Sequence, residues 1–171
     1  MILTRLETVA YRVHVPRWSF EPTSGAGAAR FGGRLNRPGV PALYLSLDTA
    51  TALAEYQQLD VLLPPGVIVA YRISLDKVVD FRDGDSSNWS SIWQSFYCDW
   101  RRMHFNDAIE PPSWQIGDTA RTAGAKGILY RSALANAGCN LVIFTGMLGE
   151  ADQVEVHDPL RTLPLDQASW R

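Results

Sequence analysis

The sequence predicts an α+β fold: one compact domain in which a small mixed or antiparallel sheet is flanked by helices. Three observations lead there. Residues 8–15 alternate between apolar and polar, the period-two pattern of a half-buried strand. Residues 49–58 carry their apolar positions at helical spacing, and residues 113–122, set between Pro111-Pro112 and Gly124, read as a second helix. Short apolar runs recur between and after them, at 42–46, 67–73, 78–81, 127–130, 141–144 and 154–157, each of strand length.

Taken in order, the first strand places Val9, Tyr11, Val13 and Val15 on one face and Arg12 on the other. Residues 16–41 hold Gly25, Gly27, Gly32, Gly33 and Gly39 among Pro, Ala and Ser, which reads as an extended ordered loop, and such a loop in a compact domain tends to carry function. The strand 42–46 follows. Asp48 then suits the N-cap of the helix from Thr49, whose packed stripe is Ala50, Leu53, Ala54 and Gln57 with Glu55 at its edge. Pro64-Pro65-Gly66 ends that unit, two strands follow at 67–73 and 78–81, and a charged turn at 82–85 closes the first half. Trp89, Trp93, Phe96, Tyr97 and Trp100, three and four residues apart, predict a helix with an aromatic face that belongs to the core. Pro111-Pro112 punctuates before the helix 113–122, and three strands return the chain to the sheet.

With 171 residues, 46% hydrophobic and 20% charged, the chain has the size and composition of one domain able to bury a full core. The formal net charge of −2 gives no bulk basic footprint for nucleic acid. Apolar runs fall well short of a membrane span. Cys98 and Cys139 stand far apart without paired spacing and read as free thiols of a reducing compartment. The opening residues lack a basic leader and cleavage site, so a cytoplasmic location is the expectation. His14, His104 and His157 show no metal-ligand spacing, and no metal site is expected.

The glycines at 25 and 27 tempt a dinucleotide-fingerprint reading. Arg30 stands where that motif needs a small residue, and no apolar strand leads in, so a Rossmann assignment fails. No Gly-x-x-x-x-Gly-Lys phosphate loop and no Gly-x-Ser-x-Gly elbow is present. The informative stretch is Gly32-Gly33-Arg34-Leu35-Asn36, Leu43-Tyr44-Leu45-Ser46 and Ala52-Leu53-Ala54-Glu55. Arg34 can fork onto phosphate oxygens, Tyr44 offers a ring face and a donor, and Glu55 can answer a developing positive charge. A polyanionic, ring-bearing ligand such as NAD suits this set. Taken singly, each residue also has an ordinary structural reading. Arg34 and Arg12 are then surface cations, Tyr44 a core tyrosine, Glu55 a solvated acid, and Ser132 the cap of a turn.

Together with Gly127-Ile128-Leu129-Tyr130-Arg131-Ser132 and Gly138-Cys139-Asn140-Leu141-Val142, these segments resemble the RES-domain family, which takes its name from an Arg, a Glu and a Ser. The matching residues are Arg34, Glu55 and Ser132. The likeness extends from Tyr11-Arg12 to Phe144, within one domain over 1–171. The chain departs from the family pattern at Leu35, where Trp is common, and at Arg131, where Pro is common.

The resemblance implies an ADP-ribosyltransferase-like fold and a toxin of a type II toxin–antitoxin pair, neutralised by a cognate Xre-like antitoxin. It implies NAD as substrate, with no prosthetic group, and transfer of ADP-ribose to a protein side chain, phosphate or water. Arg12 and Arg34 would hold the pyrophosphate, Tyr44 and Ser132 the nicotinamide side, and Glu55 would stabilise the charge built at the sugar. A ribonuclease-type toxin and a non-catalytic nucleotide-binding module stand as alternatives. The former calls for a basic groove and a His or Lys acid–base pair that the balanced charge and scattered histidines do not provide.

Overall fold

A computed structural model of the chain describes residues 1–58, 60–84 and 89–168. Asp85, the last residue of the charged turn read from sequence, lies outside them. The chain forms six strands: β1 (Leu3–His14), β2 (Leu43–Ser46), β3 (Val67–Asp80), β4 (Gly127–Arg131), β5 (Cys139–Ile143) and β6 (Gln153–Val156). Three α-helices accompany them: α1 (Ala26–Phe31), α2 (Thr49–Gln57) and α3 (Pro112–Thr122).

β1 runs antiparallel to β3 along nearly its whole length and touches β2 at Tyr11↔Ser46. β2 pairs with β5, β5 with β4, and β4 returns to β3 as the one parallel ladder among the described residues. The ring β1-β2-β5-β4-β3 is therefore closed, a mixed five-stranded barrel, and β6 is added on β3. Closure removes the unpaired edges that an open sheet would leave to solvent.

Strand alternation divides the core in two. Ala10, Leu43, Leu45, Val69, Tyr71, Ile73, Leu141 and Ile143 fill the barrel. The opposite faces of β2, β4 and β5 place Tyr44, Ile128, Tyr130 and Val142 against Ile116 and Ala120 of α3 and against the aromatic segment. Phe81 sits at the centre of that second cluster, with ring centroids 4.9, 4.8 and 4.5 Å from Trp89, Trp93 and Phe96. As the sequence predicts, Trp93, Phe96 and Trp100 are buried and Trp89 packs against them, but Tyr97, expected in the same core stripe, is 46% exposed.

They do not form the expected helix. Residues Ser91–Ser95 make a 3₁₀ turn, and a π-helical turn follows at Arg102–Asn106. The Phe96 N–H bonds to Trp93 O, and Cys98 N–H to Ser95 O. This three-residue step brings i and i+3 side chains alongside each other, which lays the Trp93 and Phe96 rings 14° from parallel. Three other boundaries differ from the sequence reading. Residues 26–31, expected as loop, are helical because alanines favour a helix, and Gly32, with φ +77°, ends it. The two strands expected at 67–73 and 78–81 are one, since β1 pairs across the polar interval and buried Leu75 continues the inner face. β1 starts five residues early, at Leu3, and its buried residues are Ala10, Val13 and His14, while Val9 and Val15 are each 48% exposed. Arg12 thus lies on the same face as Ala10, pointing inward rather than away from the core.

Candidate active site

The helix α2 starts as its sequence dictates: Asp48 caps it, accepting the Thr51 N–H at 2.7 Å. Its packing beside β1 and β2 carries Glu55 to one wall of a cleft of about 400 Å³, within the rough 300–1,000 Å³ of small-molecule sites. Arg12 of β1, Arg34 of the loop after α1 and Tyr44 of β2 line the same cleft. Four of the five residues singled out from sequence therefore meet in one cavity. Ser132 does not line it and stands behind Glu55.

Glu55 is held through one oxygen. Its Oε1 accepts from Ser132 Oγ at 2.7 Å and from Asn140 Nδ2 at 2.6 Å. Oε2 has no hydrogen-bond partner among the described residues. Ser132 Oγ in turn accepts the Leu134 and Ala135 N–H groups, both at 3.0 Å, so the turn before β5 orients it. Asn140 Oδ1 accepts from Ser46 Oγ at 2.8 Å.

The opposite wall is the loop 32–37, fixed from three sides. Tyr44 Oη donates to Asn36 Oδ1 at 2.7 Å and accepts the Leu35 N–H at 3.0 Å. Asn36 Nδ2 bonds the Ala28 and Val40 carbonyls, both at 2.9 Å. From α3, Trp114 Nε1 donates to Gly33 O at 2.7 Å and Ser113 Oγ to Arg34 O at 2.5 Å. The Tyr44 hydroxyl, which the sequence reading offered to a ligand, is thus committed to the loop, and its ring is what borders the cleft. Burial pushes that hydroxyl's pKa up, opposed by the Leu35 N–H and by the guanidinium groups of Arg34, Arg101 and Arg12. All three cations line the cleft together with Tyr44.

Arg34 Nη1 donates to the Phe96 and Cys98 carbonyls, both at 3.2 Å. Arg12 makes no hydrogen bond or ion pair with a described residue, and burial draws its pKa downward. Arg101 lies at the cleft with its guanidinium 4.8 Å from the Trp100 ring centroid. None of the three is ion-paired among the described residues. Arg37, by contrast, is bound to Glu110 and Asp118, and Arg82 to Asp80. Beneath the cleft, His14 Nε2 lies 2.6 Å from Tyr71 Oη, which donates to Pro22 O. Burial and then Arg12 hold the imidazole's pKa down at about 4. Among the described residues no cluster of three or more His, Cys, Asp or Glu is placed to hold a metal ion. No helix among them is long and apolar enough to cross a membrane.

A family model described as the RES domain matches residues 9–166. The chain belongs to the RES-domain family. Among solved structures, this RES domain is similar to a chain of the crystal structure of the M. tuberculosis MbcT-MbcA toxin-antitoxin complex. The two share 20% identity over 91% of this chain and 84% of that one, with a TM-score of 0.61. At that identity the likeness is one of fold. No curated protein matches.

Of the three residues that the motif resemblance picked out, Arg34 and Glu55 line opposite walls of the cleft and Ser132 stands directly behind Glu55. The two departures are accommodated without entering the cleft. Leu35 is buried in the cluster under α3. Arg131 Nε bonds the Arg82 carbonyl at 3.0 Å. Three site residues went unassigned in the sequence reading: Ser46, Asn140 and Arg101. A polar Asn140 inside the apolar run of β5 was the signal available for it, whereas Ser46 and Arg101 carry none until the strands and the aromatic segment are placed.

Proposed function

We propose that this RES domain is the toxin of a toxin–antitoxin pair, acting in the cytoplasm, and that it cleaves the nicotinamide–ribose bond of NAD and passes ADP-ribose to a protein side chain, phosphate or water. The observation that carries the reading is the charge arrangement of the cleft. Three arginines without carboxylate partners among the described residues face a single carboxylate whose second oxygen accepts no hydrogen bond from them. Such a surplus of positive charge suits a pyrophosphate, and the lone acid suits a cation that forms only during reaction.

Cleavage breaks the bond between the anomeric carbon and the pyridinium nitrogen. The electron pair leaves with neutral nicotinamide, and the sugar becomes oxocarbenium-like. Glu55 stabilises that charge, and because Ser132 and Asn140 already hold it, little reorganisation is needed as the charge appears. Arg12, Arg34 and Arg101 bind the diphosphate, Arg34 with the donors left after its two carbonyl bonds. The Tyr44 ring borders the nicotinamide side. Ser132, by its position, serves through Glu55. The acceptor's oxygen or nitrogen then bonds to the anomeric carbon and loses its proton. On this reading the barrel is ADP-ribosyltransferase-like, and the partner is an Xre-like antitoxin that covers the cleft mouth, in keeping with the toxin-antitoxin complex named for the structural neighbour.

Glu55→Gln is the decisive variant, since an amide keeps the acceptor for Ser132 and Asn140 but removes the charge. Nicotinamide release from NAD by purified protein is expected to fall by about 10²–10³-fold, with circular dichroism and Tm near wild type. Release at the wild-type rate by the folded variant overturns the proposal. RNA fragments without nicotinamide would instead favour the ribonuclease alternative.

A further inference from the structure

β2 and β5 place Ser46 directly opposite Asn140, and both are buried, at 4% and 5% exposure. A carboxylate only accepts hydrogen bonds, so the edge of the Asn140 amide that meets Glu55 Oε1 is its NH₂. The other edge, Oδ1, then faces Ser46, whose hydroxyl donates to it. With little water to compete, turning the amide over would set two acceptors against each other at Glu55. Ser46 therefore fixes the direction in which Asn140 donates. Ser132 is fixed in the same manner, since two N–H groups occupy its oxygen and direct its proton to Glu55.

We infer that Asn140, locked by Ser46, is a positioning residue that holds Glu55 by Oε1 and so presents Oε2 to the substrate. This rests on the NAD reading for its catalytic consequence, and the geometry of the hold stands independently of it. The charged and titratable neighbours that share the cleft with Glu55 are the cations Arg12, Arg34 and Arg101 and the phenols Tyr11, Tyr44, Tyr56 and Tyr130. None of them has a hydrogen bond to Oε1, so among the described residues no other side chain substitutes for the two donors.

Two readouts test this. In full-length protein labelled with ¹⁵N, the Asn140 side-chain amide protons report the hydrogen bond. The bonded proton is expected downfield of free asparagine amides, moving upfield in Glu55→Gln and exchanging faster with solvent in Ser46→Ala. In steady-state nicotinamide release, Ser46→Ala is expected to lower kcat about tenfold with KM within twofold of wild type. Asn140→Asp, isosteric but opposing Glu55 with a second carboxylate, is expected to lower kcat at least a hundredfold. A purely structural role would leave kcat and KM unchanged once the variants fold.

An amide signal indifferent to both Glu55→Gln and Ser46→Ala overturns the inference, as does kcat within twofold of wild type in folded Ser46→Ala and Asn140→Asp. If the wild type releases no nicotinamide at all, the NAD reading fails, and the amide signal alone decides whether Asn140 is held against Glu55.

Discussion

At Glu55 the physics of the site reduces to how one carboxylate is held. An acid on the second turn of an amphipathic helix would ordinarily be solvated, and its side chain would sample several rotamers. Here two donors, each oriented by further bonds, restrain it on one side only. Removing one of them is a milder change than removing the charge. Ser132→Ala strips a hydrogen bond from Glu55 and also leaves the Leu134 and Ala135 N–H groups without their acceptor. A loss of roughly 1–3 kcal/mol in stability is expected from a chemical denaturation curve, together with slower nicotinamide release.

Another residue links the cleft to acid stability. His14, buried and beside Arg12, titrates near 4 in the folded protein against 6.5 for a free imidazole. Between those values the unfolded chain binds a proton that the native state refuses, so acidification through this window favours unfolding. The contribution is complete below about pH 4 and absent above about 6.5, with an upper size of about 3 kcal/mol. His14→Gln keeps an N–H donor for Tyr71 and has no proton to take up. Its unfolding free energy is expected to vary less than wild type's from pH 6.5 to 4, measured by denaturant titration at each pH. The carboxylates with lowered pKa, among them Asp48, Asp80 and Asp152, act at lower pH and leave the comparison clear.

At the scale of elements, α3 is the brace of the cleft. Trp114 and Ser113 bond the carbonyls of Gly33 and Arg34, and Gly117 lets the helix backbone lie directly on the loop. A methyl group added at Gly117 would stand 1.8 Å from Leu35 O, a distance that no rotamer can relieve because the obstacle is backbone. Gly117→Ala is therefore expected to destabilise by about 1–3 kcal/mol. Because the displaced loop carries Arg34, KM for NAD is expected to rise as well. A Tm scan and a saturation curve check the two effects together. The helix itself was legible in sequence from Pro111-Pro112 before it and Gly124 beyond its end. Its function as a brace was not, because the partners of Trp114 and Ser113 lie about 80 residues away in the chain.

Over the whole molecule, a net charge of −2 conceals a local excess of cations. Arg12, Arg34 and Arg101 converge from three separate parts of the chain, whereas Arg37, Arg82, Arg121 and Lys126 are each paired with an acid. An anionic ligand should therefore stabilise the fold by mass action. NAD is expected to raise the Tm of the Glu55→Gln protein, which binds without turnover, and the increment is expected to shrink in Glu55→Gln/Arg12→Ala and with added salt. An unchanged Tm at millimolar NAD counts against the cleft as its binding site.

The sequence by itself determined the α+β class, the position of most strands, the capped helix after Asp48, the aromatic core and the family motifs with Arg34, Glu55 and Ser132, because those are written in short-range periodicity and local chemistry. Tertiary structure decided the closure of the barrel, the inward aim of Arg12, the 3₁₀ course of the aromatic segment and the hold of Ser46 and Asn140 on Glu55. Such features depend on which distant strands pair and in what register, and a shift of one residue in β2 against β5 would turn Ser46 and Asn140 away from each other. No local pattern encodes that pairing. It follows from burying two apolar faces at once while pairing Ser46 and Asn140 with each other and with Glu55.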